Sequence, residues 1–200
     1  MVMLGTQFLL LLVSFSAKWV TSTGVGPCPR IKYLDNFNIS AFTGHWIEIE
    51  RSFYLMELIS SCVRMDLSQN FKGNINVSIT SKSRWSGVFS ISEGIATVSK
   101  KHPSIFVYKV ISTLPKAVSR YLPGAGSYQV IKTDYSTYAV LYSCTNFSFA
   151  TYPLANTDLV WILGRQKEIS AEIRSEIYDF LAFYQIDSER LILAQNLNCN

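Results

Sequence analysis

Histidine is nearly absent from this chain, with only His45 and His102 among 200 residues. That scarcity removes the commonest general base and leaves no histidine cluster for zinc or for haem iron, so the expectation is that the chain holds no metal. Charge is also scarce, at 16% of residues and a formal net of +4. The basic residues are dispersed. Lys100-Lys101 and Lys116 with Arg120 come nearest to clusters, and both fall in expected loops. The chain therefore lacks the basic stripe that nucleic acid requires, and no nucleic-acid partner is expected. Long apolar runs are lacking as well, apart from one near the start. A membrane-crossing helix needs about 20 such residues. Internal repeats and low-complexity linkers are absent too, so one domain is the economical reading.

The apolar run from Phe8 to Phe15 gives way to small and polar residues from Ser16 to Gly26. This reads as a secretory signal peptide over 1–23, cleaved somewhere within 16–26, followed by a single domain over 24–200. Four cysteines follow, Cys28, Cys62, Cys144 and Cys199. An even count in an exported chain predicts two disulfides, for which the sequence alone permits three pairings. Three Asn-x-Ser acceptors, at Asn38, Asn76 and Asn146, agree with export and predict a glycoprotein.

With 48% hydrophobic residues the chain can bury a sizeable core. Apolar segments of strand length recur between clusters of Gly, Pro, Asn and Ser, the rhythm of an antiparallel barrel or sandwich. Strands are expected near 43–52, 62–69, 74–82, 87–99, 104–112, 127–133, 137–145 and 158–164. Eight strands suffice to close a barrel with room for one small ligand. From Glu168 to Tyr184 the period changes: Ile169, Ile173, Ile177, Phe180, Leu181 and Tyr184 recur at helical spacing, predicting one amphipathic helix packed outside the barrel. A short strand is expected at 190–194.

Three short signatures stand in fixed order: Gly44-His45-Trp46, Thr133-Asp134-Tyr135 ahead of Tyr142-Ser143-Cys144, and Arg165 after the last apolar strand. Their order and spacing resembles the lipocalin family, and within it the apolipoprotein D and insect bilin-binding branch, over roughly residues 26–199. The resemblance implies an all-β, eight-stranded, up-and-down barrel with one C-terminal helix outside. It implies that Trp46 and Arg165 close the base of the barrel, guanidinium against indole, with Gly44, Thr133, Asp134 and Tyr135 as structural residues. Asp134 is expected to accept hydrogen bonds from backbone donors in its turn. The resemblance also favours the pairings Cys28–Cys144 and Cys62–Cys199.

Strand parity assigns the interior. A glycan on Asn76 must face out, which turns Val77, Ile79 and Ser81 inward. Leu159, Trp161 and Leu163 share the parity of Arg165. Ala139, Leu141 and Ser143 face in on their strand, as do Tyr128 and Val130 on theirs. Phe106, Tyr108 and Val110 are placed inside, with the reversed register left open. Tyr108, Tyr128 and Ser81 are available to orient a polar end of the ligand. The expected activity is that of a secreted, extracellular carrier without catalysis. The resemblance implies a ligand among tetrapyrroles, fatty acids, steroids, retinoids and pheromone-like molecules, so that a bound bilin or lipid is allowed and no cofactor is obligatory.

Two alternatives stay open. Glu48 and Glu50 share the parity of Trp46, and inward carboxylates would suit small cationic amines. One branch of the family uses a free barrel cysteine as a nucleophile, but here all four cysteines are placed like disulfide partners. His45 points opposite Trp46, His102 precedes Pro103 in a turn, and no nucleophile–base constellation is visible. The loop 52–61 carries Phe53, Tyr54, Leu55, Met56, Leu58 and Ile59. It is expected to form a lid over the cavity or, failing that, to contact a membrane, lipoprotein, receptor or second subunit.

Overall fold

A computed structural model describes residues 23–53, 60–115, 124–149, 152–197 and 199. The leader segment up to residue 22, the centre of the 52–61 loop and the Lys116 to Arg120 cluster lie outside the described residues. Eight strands run as an antiparallel meander: β2 (Gly44–Ser52), β3 (Ser60–Gln69), β4 (Ile75–Ser83), β5 (Phe89–Val98), β6 (Ile105–Val110), β7 (Gly126–Thr133), β8 (Tyr138–Phe149) and β9 (Tyr152–Gly164). Each pairs with the next, and β9 returns to pair with β2, Ile47 opposite Gly164 and Arg51 opposite Trp161, which closes the barrel. Closure satisfies the strand edges that an open sheet would expose. Two short strands lie beside it, β1 (Thr23–Val25) on β9 and β10 (Leu191–Leu193) on β2. A single turn of helix, α1 (Ile39–Phe42), precedes β2, and α2 (Ala171–Phe183) follows β9.

Alternation along the strands divides the apolar residues into two clusters. The inner one gathers Trp46, Ile75, Val77, Ala96, Phe106, Tyr108, Val130, Ala139, Leu141 and Leu163. The outer one joins Ile47, Ile49, Tyr138, Val140, Tyr142, Val160 and Ile162 to Ile177 and Leu181 of α2. Ser170 caps α2 by accepting a hydrogen bond from the amide of Ile173 at 3.3 Å, and Glu172 places a negative charge at the helix's positive end. The helix therefore covers one wall, formed by β2, β8 and β9.

Strand β2 departs from strict alternation, which corrects one expectation. Its register to β9 shifts between Glu48 and Glu50, a β-bulge. Glu48 faces in as expected. Glu50 does not: it turns outward beneath α2, where Arg174 Nε lies 2.9 Å from its Oε1 and the Tyr178 hydroxyl donates to its Oε2 at 2.5 Å. Burial, and then the hydrogen bond to Glu50, push the Tyr178 phenol up to about 12, so it remains a donor at neutral pH. The parity reversal brings Arg51 inside, where it forms an ion pair with Glu48. Both side chains are almost wholly buried. The extra residue frees carbonyls from the ladder, and the C-terminal tail meets them: Ala194 N donates to Ile49 O at 2.8 Å and Asn196 Nδ2 to Glu48 O at 2.7 Å.

The tails are bound to the barrel by disulfides Cys28–Cys144 and Cys62–Cys199, and no described cysteine is free. Cys62 sits at φ 54 in a second irregularity, between Ser61 and Arg64 of β3, and its amide donates to Gln195 O at 2.9 Å.

Candidate ligand cavity and its closed base

The base is built by the three signatures. Trp46 is fully buried and donates from Nε1 to Phe42 O at 2.8 Å. The Arg165 guanidinium carbon lies 3.6 Å from the centre of the Trp46 ring. The same guanidinium donates to the carbonyls of Tyr135 (3.0 Å), His45 (2.8 Å), Ala41 (3.1 Å) and Thr43 (3.0 Å), which ties the entering chain, β2 and the β7–β8 turn together. Gly44 is required here. It holds φ +101, and a Cβ on it would stand 3.2 Å from Arg165 Nη1.

Asp134 accepts from the amides of Ser136, Thr137 and Tyr138 at 3.1, 2.8 and 2.9 Å. Thr133 Oγ1 donates to Tyr138 O at 2.6 Å and accepts from Tyr135 N at 2.9 Å, and Tyr135 turns the chain at φ 65. Partial burial works against the Asp134 charge, but the backbone donors prevail and hold its carboxyl below the usual range. A depressed native pKa stabilises the fold above the unfolded value of about 4 and ceases to do so as pH falls through the native value. Asp134→Asn is therefore expected to lower the urea midpoint at neutral pH, with the gap to the parent narrowing as pH is lowered toward 3; urea titrations across that range check it.

Above the base lies a narrow cavity of about 120 Å³. Its wall includes Val77, Ile79, Phe106, Tyr108, Tyr128, Leu141 and Trp161 of the expected residues. Phe106, Tyr128 and Trp161 form a run of rings, with centroids 5.9 and 5.3 Å apart. Leu163, also expected inside, lines it too, whereas Val110, Ala139, Ser143 and Leu159, together with Val130 and Ser81, are not among its described lining residues. Val130 is fully buried in the inner cluster and is not among the described lining residues. Ser81 has the inward parity but lies toward the rim, its hydroxyl 3.1 Å from that of Ser90. The Tyr128 hydroxyl donates to Gly124 O at 2.6 Å.

Phe42, Val63, Met65 and Leu67 complete much of the wall and were not anticipated. Val63, Met65 and Leu67 alternate with Arg64, Asp66 and Ser68, a period-two signal sufficient to find them. Phe42 carries no such signal, since the α1 turn that aims it depends on Asn38 Oδ1 accepting from Ala41 N at 3.1 Å. His45 points out, its Nδ1 2.9 Å from Asp66 Oδ1, and His102 stacks on Tyr33 at 3.9 Å. Among the described residues no group of His, Cys, Asp and Glu is arranged to hold a metal ion.

Comparison with known proteins matches residues 70–193 to the Lipocalin / cytosolic fatty-acid binding protein family. The chain belongs to the lipocalin family. It is 31% identical to apolipoprotein D of Cavia porcellus over 87% of this chain and 85% of that one. It is 23% identical to the bilin-binding protein of Pieris brassicae over 93% of each. Among solved structures, apocrustacyanin C2 superposes with a TM-score of 0.74 at 18% identity, covering 90% of this chain and 94% of that one. The apolipoprotein D and bilin-binding branch of the lipocalins is thus the one to which the sequence signatures point.

In this lipocalin Tyr108 lies flat across Gly94 of β5. A Cβ on Gly94 would stand 2.3 Å from the Tyr108 ring and 2.5 Å from Lys109 O. Gly94→Ala is expected to cost about 1–3 kcal/mol by overpacking and to displace a cavity wall; thermal unfolding together with probe binding reads both effects.

Proposed function

We propose that this lipocalin is an exported carrier that holds one small hydrophobic molecule in its barrel, without catalysis. The apolar cavity above the Trp46–Arg165 base carries this reading. Such a wall takes up apolar ligand area at roughly 25 cal/mol per Å². Family membership supports it, as do relatives named apolipoprotein D and bilin-binding protein. Export is supported by the leader-like start, the two disulfides and the exposed positions of Asn38, Asn76 and Asn146, which we assign as glycan acceptors.

The ligand set narrows on size. At about 120 Å³ the cavity suits a slender lipid or a small ring compound. A tetrapyrrole would need the wall to move, since pockets for ligands of that scale usually span about 300–1,000 Å³. Among the described lining residues the amine reading is left with a single carboxylate, Glu48, already paired with Arg51. The mouth is the end at which β4 joins β5, where Trp85 and Val88 are exposed beside the ends of the 52–61 loop. This apolar rim suits a lid or a lipid-facing contact.

The test is titration with the neutral fluorophore N-phenyl-1-naphthylamine. Saturation at one site, and about tenfold weaker binding by Trp161→Ala, are expected. Equal affinity in parent and variant would remove Trp161 from the site, and no saturable binding would overturn the carrier reading.

A further inference from the structure

Two polar groups of the cavity wall have opposite consequences for a ligand. Glu48 is the only charged side chain among the described lining residues, and it is 2% exposed and ion-paired with Arg51. The charge of that pair is thus balanced before any ligand enters. A carboxylate brought into the cavity would lose its hydration against an apolar wall in which the Arg51 charge is already engaged by Glu48.

Tyr108 presents the other group. Its side chain is 5% exposed and lines the cavity, pinned between Gly94 and Gly124. Ser92 acts on the phenol oxygen as a donor, and among the described residues the Tyr108 O–H itself has no acceptor. A buried O–H without a partner costs folding free energy that an acceptor on the ligand recovers. Burial pushes the Tyr108 pKa up, so the group is a donor at neutral pH.

Building on the carrier reading, we infer that the cavity selects an uncharged ligand with an apolar body and one acceptor oxygen, a ketone, ester or alcohol, that takes a hydrogen bond from Tyr108, and that Glu48, by engaging Arg51, disfavours fatty-acid anions. The ring is held in place by Gly94, so the donor is pre-set rather than recruited by the ligand.

Competition against bound N-phenyl-1-naphthylamine tests this with dodecan-2-one, dodecanoic acid and dodec-1-ene at about pH 8, where the acid is ionised. The ketone is expected to displace the probe at least tenfold more tightly than the acid. Tyr108→Phe is expected to shrink the preference for ketone over alkene about tenfold, a ratio that a merely structural role would not move. Glu48→Gln is expected to raise the affinity for the acid relative to the ketone about fivefold or more. If Glu48→Gln fails to fold, Tyr108→Phe decides. An acid that binds the parent as tightly as the ketone, or an unchanged ketone-to-alkene ratio in Tyr108→Phe, overturns the inference while leaving the carrier reading intact. A parent that binds none of the probes overturns both.

Discussion

Arg165→Ala is expected to lower the stability of the barrel by about 3–4 kcal/mol, more than any exposed substitution of similar size. The guanidinium reaches carbonyls from three separate segments, at Tyr135, at His45 and in the α1 turn, while lying over the Trp46 ring. Removing it leaves those carbonyls without their donor and opens the base beneath Trp46 to water. Hydrogen bonds to a charged donor contribute about 1.5–3 kcal/mol each but are not additive, which sets the total well below their sum. Arg165→Lys retains the charge but not the planar fork, so it should recover little of the loss. Urea unfolding reads the effect as a lower midpoint at unchanged slope. A variant within about 1 kcal/mol of the parent would mean that the signature arginine does not hold the base together.

The second large effect concerns the C-terminal tail. Replacing Cys62 and Cys199 together by alanine is expected to cost about 4–5 kcal/mol, because the bridge closes a very long stretch of chain and restricts the unfolded state accordingly. The sequence separation is 137 residues. The native state suffers too. The tail that Cys199 pins supplies donors to Ile49 O and Glu48 O, the carbonyls exposed by the β2 bulge, and Arg64 Nη2 donates to Cys199 O at 3.2 Å. Loosening it should weaken the region that sets Glu48 against Arg51. Thermal unfolding of the double variant measures the cost, and hydrogen exchange at Ile49 and Glu50 reports whether the bulge opens with it. Protection there equal to the parent's would assign the whole effect to the unfolded chain.

Much of the architecture was legible because strand parity and helical spacing are written residue by residue. Asn76 exposed between buried Ile75 and Val77, and Ile177 and Leu181 buried on α2, are each the direct readout of a period. The base was legible for a different reason: its three signatures carry the resemblance to the lipocalins, and in the structure Gly44, Asp134 and Arg165 each satisfy backbone geometry that few other residues can. What escaped was everything dependent on a break in regularity. The bulge between Glu48 and Glu50 inverts the parity of β2 beyond it, so Glu50, which shares the parity of Trp46 in the sequence and was left open as an inward carboxylate, is found beneath α2, while Arg51 takes the interior place. No residue in Trp46-Ile47-Glu48-Ile49-Glu50 announces it. The irregularity resides in the tertiary partners that satisfy it, namely Arg174, Tyr178 and the 194–196 tail. Phe42 escaped because a four-residue helix has too short a pattern to read.

The most direct test of the central claim is native mass spectrometry of the protein purified under gentle conditions from its natural source. A one-to-one adduct of a small lipophilic molecule is expected, released by organic extraction and depleted in Trp161→Ala protein prepared in parallel. A polypeptide that carries no such adduct, and that afterwards takes up none of the neutral apolar probes, would contradict the account of this barrel as a carrier.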